Sequence, residues 1–194
     1  MTLKLVIAGI GASALTACVS VLPEPEAPQA LYSIEAQIER PGLTHVLTVR
    51  EPEAARLVSG QGLVSEAPDG GLRLVPGVEW AGPATRQMQF AIIDSFKPGA
   101  MGNAVAPELG IAADYELASR IVGLKLRGQT AHCSIVVSLI DSRDRTLVAR
   151  REIQAQSDAV SSSARDRALA LSAAASECAD QVSAFAIERM GARP

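Results

Sequence analysis

Aromatic residues are nearly absent: Trp80, Tyr32, Tyr115, Phe90, Phe96 and Phe185 are the whole complement of a 194-residue chain. So sparse a set offers little platform for stacking bases or sugars. Basic runs are missing as well, none being longer than Arg150-Arg151, and 18 Lys and Arg stand against 21 Asp and Glu for a formal charge of −3. That balance lacks the footprint a phosphate backbone selects and argues against nucleic acid as a partner. The chain has only two histidines, His45 and His132, neither with a carboxylate or cysteine at metal-ligand spacing, and no nucleophile elbow, Walker loop or dinucleotide fingerprint. Nothing therefore points to a catalytic residue, a metal or a cofactor. The carboxylate pairs Glu24/Glu26 and Asp141/Asp144 fall in a proline-rich stretch and a turn, where solvated charge is the expected state and acid–base work would lack a buried wall.

A membrane-spanning run is also lacking. Leu5 to Ala14 is uninterruptedly small or apolar, but ten residues fall short of the roughly 20 that a spanning helix needs. Behind Lys4, the run has the form of a secretory h-region. Leu15-Thr16-Ala17-Cys18 follows it and matches the bacterial lipobox, in which small residues precede an acylated cysteine. Residues 1–17 thus resemble a lipoprotein signal peptide, with Cys18 as the lipid attachment site. Each buried acyl methylene contributes about 0.8 kcal/mol, so several chains anchor almost irreversibly. Residues 18–29 then alternate proline with glutamate (Pro23-Glu-Pro-Glu-Ala-Pro28), a composition that suits an extended tether rather than helix or sheet.

What is present in quantity is apolar side chain, 48% of the residues, enough for one core over residues 30–194. Alternation predicts strands at 31–38 and 45–50 around the Pro41-Gly42 turn, a helical turn at 52–57, and a hairpin of 61–66 with 72–75 across Ala67-Pro-Asp-Gly-Gly71. A helical period runs from Pro83 to Phe96. Three longer strands are predicted at 114–127, 130–140 and 146–156, with connections so short that the neighbours must be antiparallel. A long helix over 161–190 carries Ala164, Ala168, Leu171, Ala175, Cys178, Val182 and Phe185 on one stripe, with Arg167, Ser172, Ser176, Asp180 and Ser183 opposite. The order predicts an α+β fold, an antiparallel sheet with two main helices on one face.

Two further residue sets are candidates. Once Cys18 is lipidated, Cys133 and Cys178 remain as a pair in an exported protein. Cys133 shares a strand face with Ile135, Val137 and Leu139 while Cys178 lies on the helix stripe, so a disulfide or two buried thiols are the alternatives. Trp80, just before the first main helix, is either a core filler or an exposed interface anchor.

Tyr32-Ser-Ile34, Leu47-Thr-Val-Arg-Glu-Pro52 with Leu57 and Gly60, Val78-Glu-Trp-Ala-Gly-Pro83, Ala113-Asp-Tyr-Glu-Leu117 and Arg145-Thr-Leu-Val-Ala-Arg150 occur in that order behind the lipobox. In this the chain resembles the ABC-type transport auxiliary lipoprotein family, the PqiC-like envelope lipoproteins, although Leu72-Arg-Leu-Val-Pro76 is less aromatic than that family leads one to expect. The resemblance implies a non-enzymatic accessory of an ABC-type lipid transporter, docking a periplasmic subunit with a mammalian-cell-entry (MCE) domain to a membrane and open to self-association as a homo-oligomer. A stand-alone lipid-binding or enzymatic envelope lipoprotein is the alternative. Val19 and Ser20 lack the acidic residue that retains lipoproteins in the inner membrane of enteric bacteria, which favours the outer membrane.

Cys18→Ser is expected to abolish acylation. Metabolic labelling with a fatty-acid probe checks it, and equal labelling of mutant and wild type would refute the assignment.

Overall fold

The computed structural model describes residues 28, 30–99 and 101–191. Its elements run β1 (Ala30–Tyr32), β2 (Leu47–Val49), α1 (Arg56–Ser59), β3 (Gly62–Glu66), β4 (Leu72–Trp80), α2 (Ala84–Asp94), β5 (Ala104–Val105), a short 3-10 turn at Pro107–Leu109, β6 (Tyr115–Arg127), β7 (Thr130–Asp141), β8 (Leu147–Asp158) and α3 (Ala164–Gly191).

Alternation builds the centre. In β7 every second residue, Ala131, Cys133, Ile135, Val137 and Leu139, is buried, and β6, β7 and β8 form the antiparallel meander that their short connections require. The first connection turns at Gly128, whose φ of 62° is a conformation glycine adopts without strain. β6 keeps its apolar face inward by a device that alternation does not announce. Its pairing with β7 slips between Ile121 and Gly123, so Tyr115, Leu117 and Ile121 are buried before the slip and Leu124 and Leu126 after it. A strand of period two could not bury both sets without this bulge, which leaves Val122 facing solvent.

The α+β class stands: α3 packs across β7 and β8, and α2 lies against α3. The sheet of eight strands is mixed, however, where a wholly antiparallel one was expected. β1 runs parallel to β4, β2 to both β5 and β6, and β3 to β6. These pairs join segments far apart in the chain, so the local turn chemistry that specifies hairpins says nothing about them.

Two strand boundaries also differ from expectation. The fourth strand was expected over 72–75, yet β4 continues through Pro76-Gly77 to Trp80. Register with β3 jumps from Val64↔Leu74 to Gly62↔Glu79, so on the β3 side residues 75–78 stand opposite Leu63 alone and the amide that Pro76 lacks has no β3 ladder position to vacate. In the first expected strand, 31–38, only Ala30–Tyr32 pairs with a neighbour.

The rest of that segment finds its partners on α3. Ser172 Oγ donates to the Ser33 carbonyl. The Glu35 amide donates to Ser176 Oγ at 3.1 Å, and the Gln37 and Ile38 amides donate to the Asp180 carboxylate at 3.2 and 3.3 Å. Arg40 donates from Nε to Ser183 Oγ at 2.9 Å and from Nη2 to the Asp180 carbonyl at 2.6 Å. Ser176, Asp180 and Ser183, expected on an open polar face, are thereby buried. Burial raises the Asp180 carboxyl above its ordinary range, and the Ile38 and Gln37 amides and Arg40 pull the other way without overcoming it. Close approach also matters where residues 98–103 meet the segment before β2: a Cβ on Gly102 would overlap the backbone of His45.

Cys133 and Cys178 do share one layer, between β7 and α3, and both are buried free thiols in this structure. Contact with the Cys178 thiol, and then burial, push the Cys133 thiol well above its ordinary value. Facing thiols in an exported protein are expected to pair, closing a loop and contributing about 2–4 kcal/mol. Alkylation of the oxidatively folded, denatured and unreduced protein checks this, two alkylated thiols being the refuting result.

Asp180→Ala leaves two backbone amides without their acceptor and is expected to cost about 1–3 kcal/mol in urea denaturation, with Asp180→Asn costing less. Because the raised pKa means that the native state holds this proton more tightly than the unfolded chain, the Asp180 contribution falls as pH climbs through the raised value. Asp180→Asn is expected to remove that slope.

Candidate functional site

The strand directions give the domain two distinct ends. β1 lies beside β4 with Ala30 opposite Val78 and Tyr32 opposite Trp80, so the N-terminal end of β1 points toward the end where β4 begins. At that end lie the β3–β4 turn, the Gly128-Gln129 turn and the start of α3. The other end gathers the start of β6, the 142–146 turn, the 98–113 loop and the end of α3. Cys18 lies outside the described residues. So does the tether, except Pro28, which is exposed.

The entry end holds a cavity of about 740 Å³ whose walls include Ser65, Glu66, Arg73, Gln129, Ser162 and Arg167. Glu66 is engaged by Lys125 at 2.5 Å and by Arg127 at 3.0 Å, and hydrogen bonds from these two hold its carboxyl below the ordinary range. Arg73 pairs with Asp69 at 3.2 Å in the exposed turn. Arg167 donates from Nη2 to Ser65 Oγ at 2.5 Å, while its Nε is buried with no acceptor. The acids beside it are occupied locally: Ser163 Oγ accepts from the Asp166 amide, Ser161 Oγ donates to the Asp166 carboxylate and Thr130 Oγ1 donates to Asp158. Sequence reading assigned Arg167 to the polar side of the last helix and Arg73 to a hairpin, and nothing in either pattern shows that register brings them to one cavity.

A second, open groove of about 590 Å³ runs beside α2, lined by Ile34, Glu35, Pro83, Arg86, Gln87 and Phe90 among others. The Gln87 amide is engaged within the fold, accepting from the Ile34 amide at 2.9 Å and donating to the Gly82 carbonyl at 2.8 Å. Arg86 stacks over Phe90 at 4.7 Å and pairs with Glu108 at 2.8 Å. Trp80, close by, is 1% exposed. The interface role considered for it is thus corrected: its ring fills the core and offers no surface to a partner.

At the far end Glu116 receives Arg145 at 2.9 Å and Arg50 at 3.5 Å, and chiefly the Arg145 hydrogen bond lowers its pKa. Around it Leu109, Ile111 and Leu147 are more than half exposed, and the Ser142 amide ties the β7–β8 turn to the Asp114 carbonyl at 2.9 Å. His45 lies 3.7 Å from Asp114 and edge-on to Tyr115, while His132 sits apart in β7. Among the described residues no three His, Cys, Asp or Glu side chains are grouped to hold a metal, and no helix is long and apolar enough to cross a membrane.

Comparison with known proteins adds to this geometry. The family model described as "ABC-type transport auxiliary lipoprotein component" matches residues 30–183. No curated protein matches. Protein XCC0632 from Xanthomonas campestris is 20% identical, superimposes with a TM-score of 0.73 and covers 83% of this chain and 96% of its own. The solved structure of an uncharacterised protein is 12% identical with a TM-score of 0.63, covering 82% of this chain and 99% of its own. The hypothetical protein CT253 from Chlamydia trachomatis is 10% identical with a TM-score of 0.53, covering 76% and 99%. At these identities the structures show a shared fold, and the family match over 30–183 decides kinship: the chain belongs to the ABC-type transport auxiliary lipoprotein component family.

Proposed function

We propose that the protein is the membrane-anchored auxiliary component of an ABC-type envelope lipid transport system, and that it docks the transporter's periplasmic MCE-domain subunit to a membrane. Acylated Cys18 is the anchor, residues 18–29 are the spacer, and the absence of an acidic residue at Val19 and Ser20 favours the outer membrane. The observation that carries the reading is the polarity of the domain. The chain arrives at one end, and the opposite end presents exposed Leu109, Ile111 and Leu147 beside a charged rim, the composition of a contact surface. The role is non-catalytic and self-association accompanies it.

The groove beside α2 favours a second reading, a stand-alone lipid-binding lipoprotein, because about 590 Å³ is the size of a ligand site. Against it, the groove is open and its central amide is already engaged by Ile34 and Gly82 within the fold.

Purification of the tagged full chain from detergent-solubilised envelopes of its own host separates the two. An MCE-domain subunit, an ATPase and a permease are expected to co-purify, with the chain sedimenting in outer-membrane fractions and in complexes holding more than one copy. Recovery without any transporter subunit but with stoichiometric bound lipid would overturn the docking role in favour of the second reading.

A further inference from the structure

We propose that the open edge of β8 pairs antiparallel with β8 of a second copy of this chain, joining the two sheets across a two-fold axis at Gln154. The inference deepens the self-association included in the reading above and rests on it. It names the surface that the two copies share.

β8 is twelve residues long, and among the described residues β7 is its one strand neighbour. The Ala159 amide, just past β8, donates to the Gln129 carbonyl at 2.9 Å. Pairing with β7 is regular from Ala149 to Asp158, so by alternation the odd-numbered residues turn their backbone groups to β7. Arg150, Glu152, Gln154, Gln156 and Asp158 turn theirs to the open side. No proline and no bulge interrupts this run, the devices that usually keep another strand from adding to an edge. What the run carries is charge, and the charge selects the partner.

The same five side chains are exposed and share one face. With Gln154 opposite its own copy, Arg150 stands against Asp158 of the second copy and Glu152 against Gln156 of the second copy, each pair formed twice by symmetry. Arg150 has no ion pair among the described residues, and Asp158 is met there by the Thr130 hydroxyl at 2.7 Å and by no cation. Other axes serve less well. At Glu152 or Ala155 the axis sets acid against acid, at Arg150 or Arg151 it sets arginine against arginine, and at Ile153 it leaves Arg150 facing Gln156 without an ion pair. On the inner face, buried Ile153 and Ala155 come opposite Ala155 and Ile153 of the second copy, so the apolar layer continues across the axis. A groove of about 550 Å³ lies beside the edge, its walls including Gln156 and Ser157 of β8 and exposed Leu169 and Ala173 of α3, and gives the second copy room alongside the added strand.

The test uses the full acylated chain in detergent. Sedimentation is expected to show a concentration-dependent assembly that Arg150→Asp or Asp158→Arg weakens about tenfold, each creating two like-charge pairs, and that the two together restore to within about threefold. Gln154→Cys is expected to give a disulfide-linked dimer on mild oxidation. Gln156→Cys is not, because its two thiols would lie ~13 Å apart along the paired strands. All four positions are exposed, and the melting temperature checks that each variant keeps the fold. Should Asp158→Arg lower it, the cysteine pair decides. An assembly indifferent to the charge swaps, or equal linkage at 154 and 156, overturns this interface alone. A monomer at every concentration overturns self-association with it. Loss of transporter subunits from a monomeric Arg150→Asp protein gives the edge to a partner's strand and overturns the second copy as its occupant. Co-purification of those subunits with the unaltered chain is read separately, so the docking role stands or falls by itself.

Discussion

The rest of the structure depends on a line of polar side chains along one side of α3. Ser172, Ser176, Asp180 and Ser183 lie at helical spacing, and each meets a backbone or guanidinium group of the extended segment that follows β1. A segment without a strand partner would bury unsatisfied amides, a cost that folding rarely tolerates. Here a helix supplies acceptors where a neighbouring strand normally would. The consequence is that α3 is covered on two sides: its apolar stripe meets β7 and β8, and its polar stripe meets the incoming chain. Small residues at Ala168, Ala174, Ala175 and Ala179 suit this enclosure, since bulkier ones would hold the covering layers apart.

The antiparallel meander, α2 and α3 were legible because alternation, helical period and short turns are local signals. The α+β class follows from them. The outer sheet was not legible, because the parallel pairs of β1 with β4 and of β2 and β3 with β6 are set by tertiary contact. Nor was the burial of Ser176 and Asp180, which read as a solvated face until the segment that covers them is in place. The slip at Ile121 and Gly123 shows the same limit in a single strand. Alternation alone cannot say that the inward set changes parity halfway.

Functional residues divide in the same way. The lipobox is a linear motif and was readable as such, although Cys18 lies outside the described residues. The facing of Cys133 and Cys178 followed from one strand face and one helix stripe, each a local pattern. Trp80 could not be assigned from its neighbours, since a tryptophan before a proline-started helix serves core and interface equally well; burial decides it. The cavity around Arg167 was invisible because its walls come from four separated stretches of chain, brought together only by register.

The direction of β1 carries a mechanical consequence. Tension drawn through the chain before Ala30 acts along the axis of β1, parallel to β4, so the hydrogen bonds between them are loaded in shear. The side-chain bonds from α3 to residues 33–40 follow in the same line and share that load. Bonds loaded in shear must yield together, whereas a hairpin pulled at its open end unzips one pair at a time. The domain thus receives its chain in the orientation that best resists extraction, with the long helix serving as the brace.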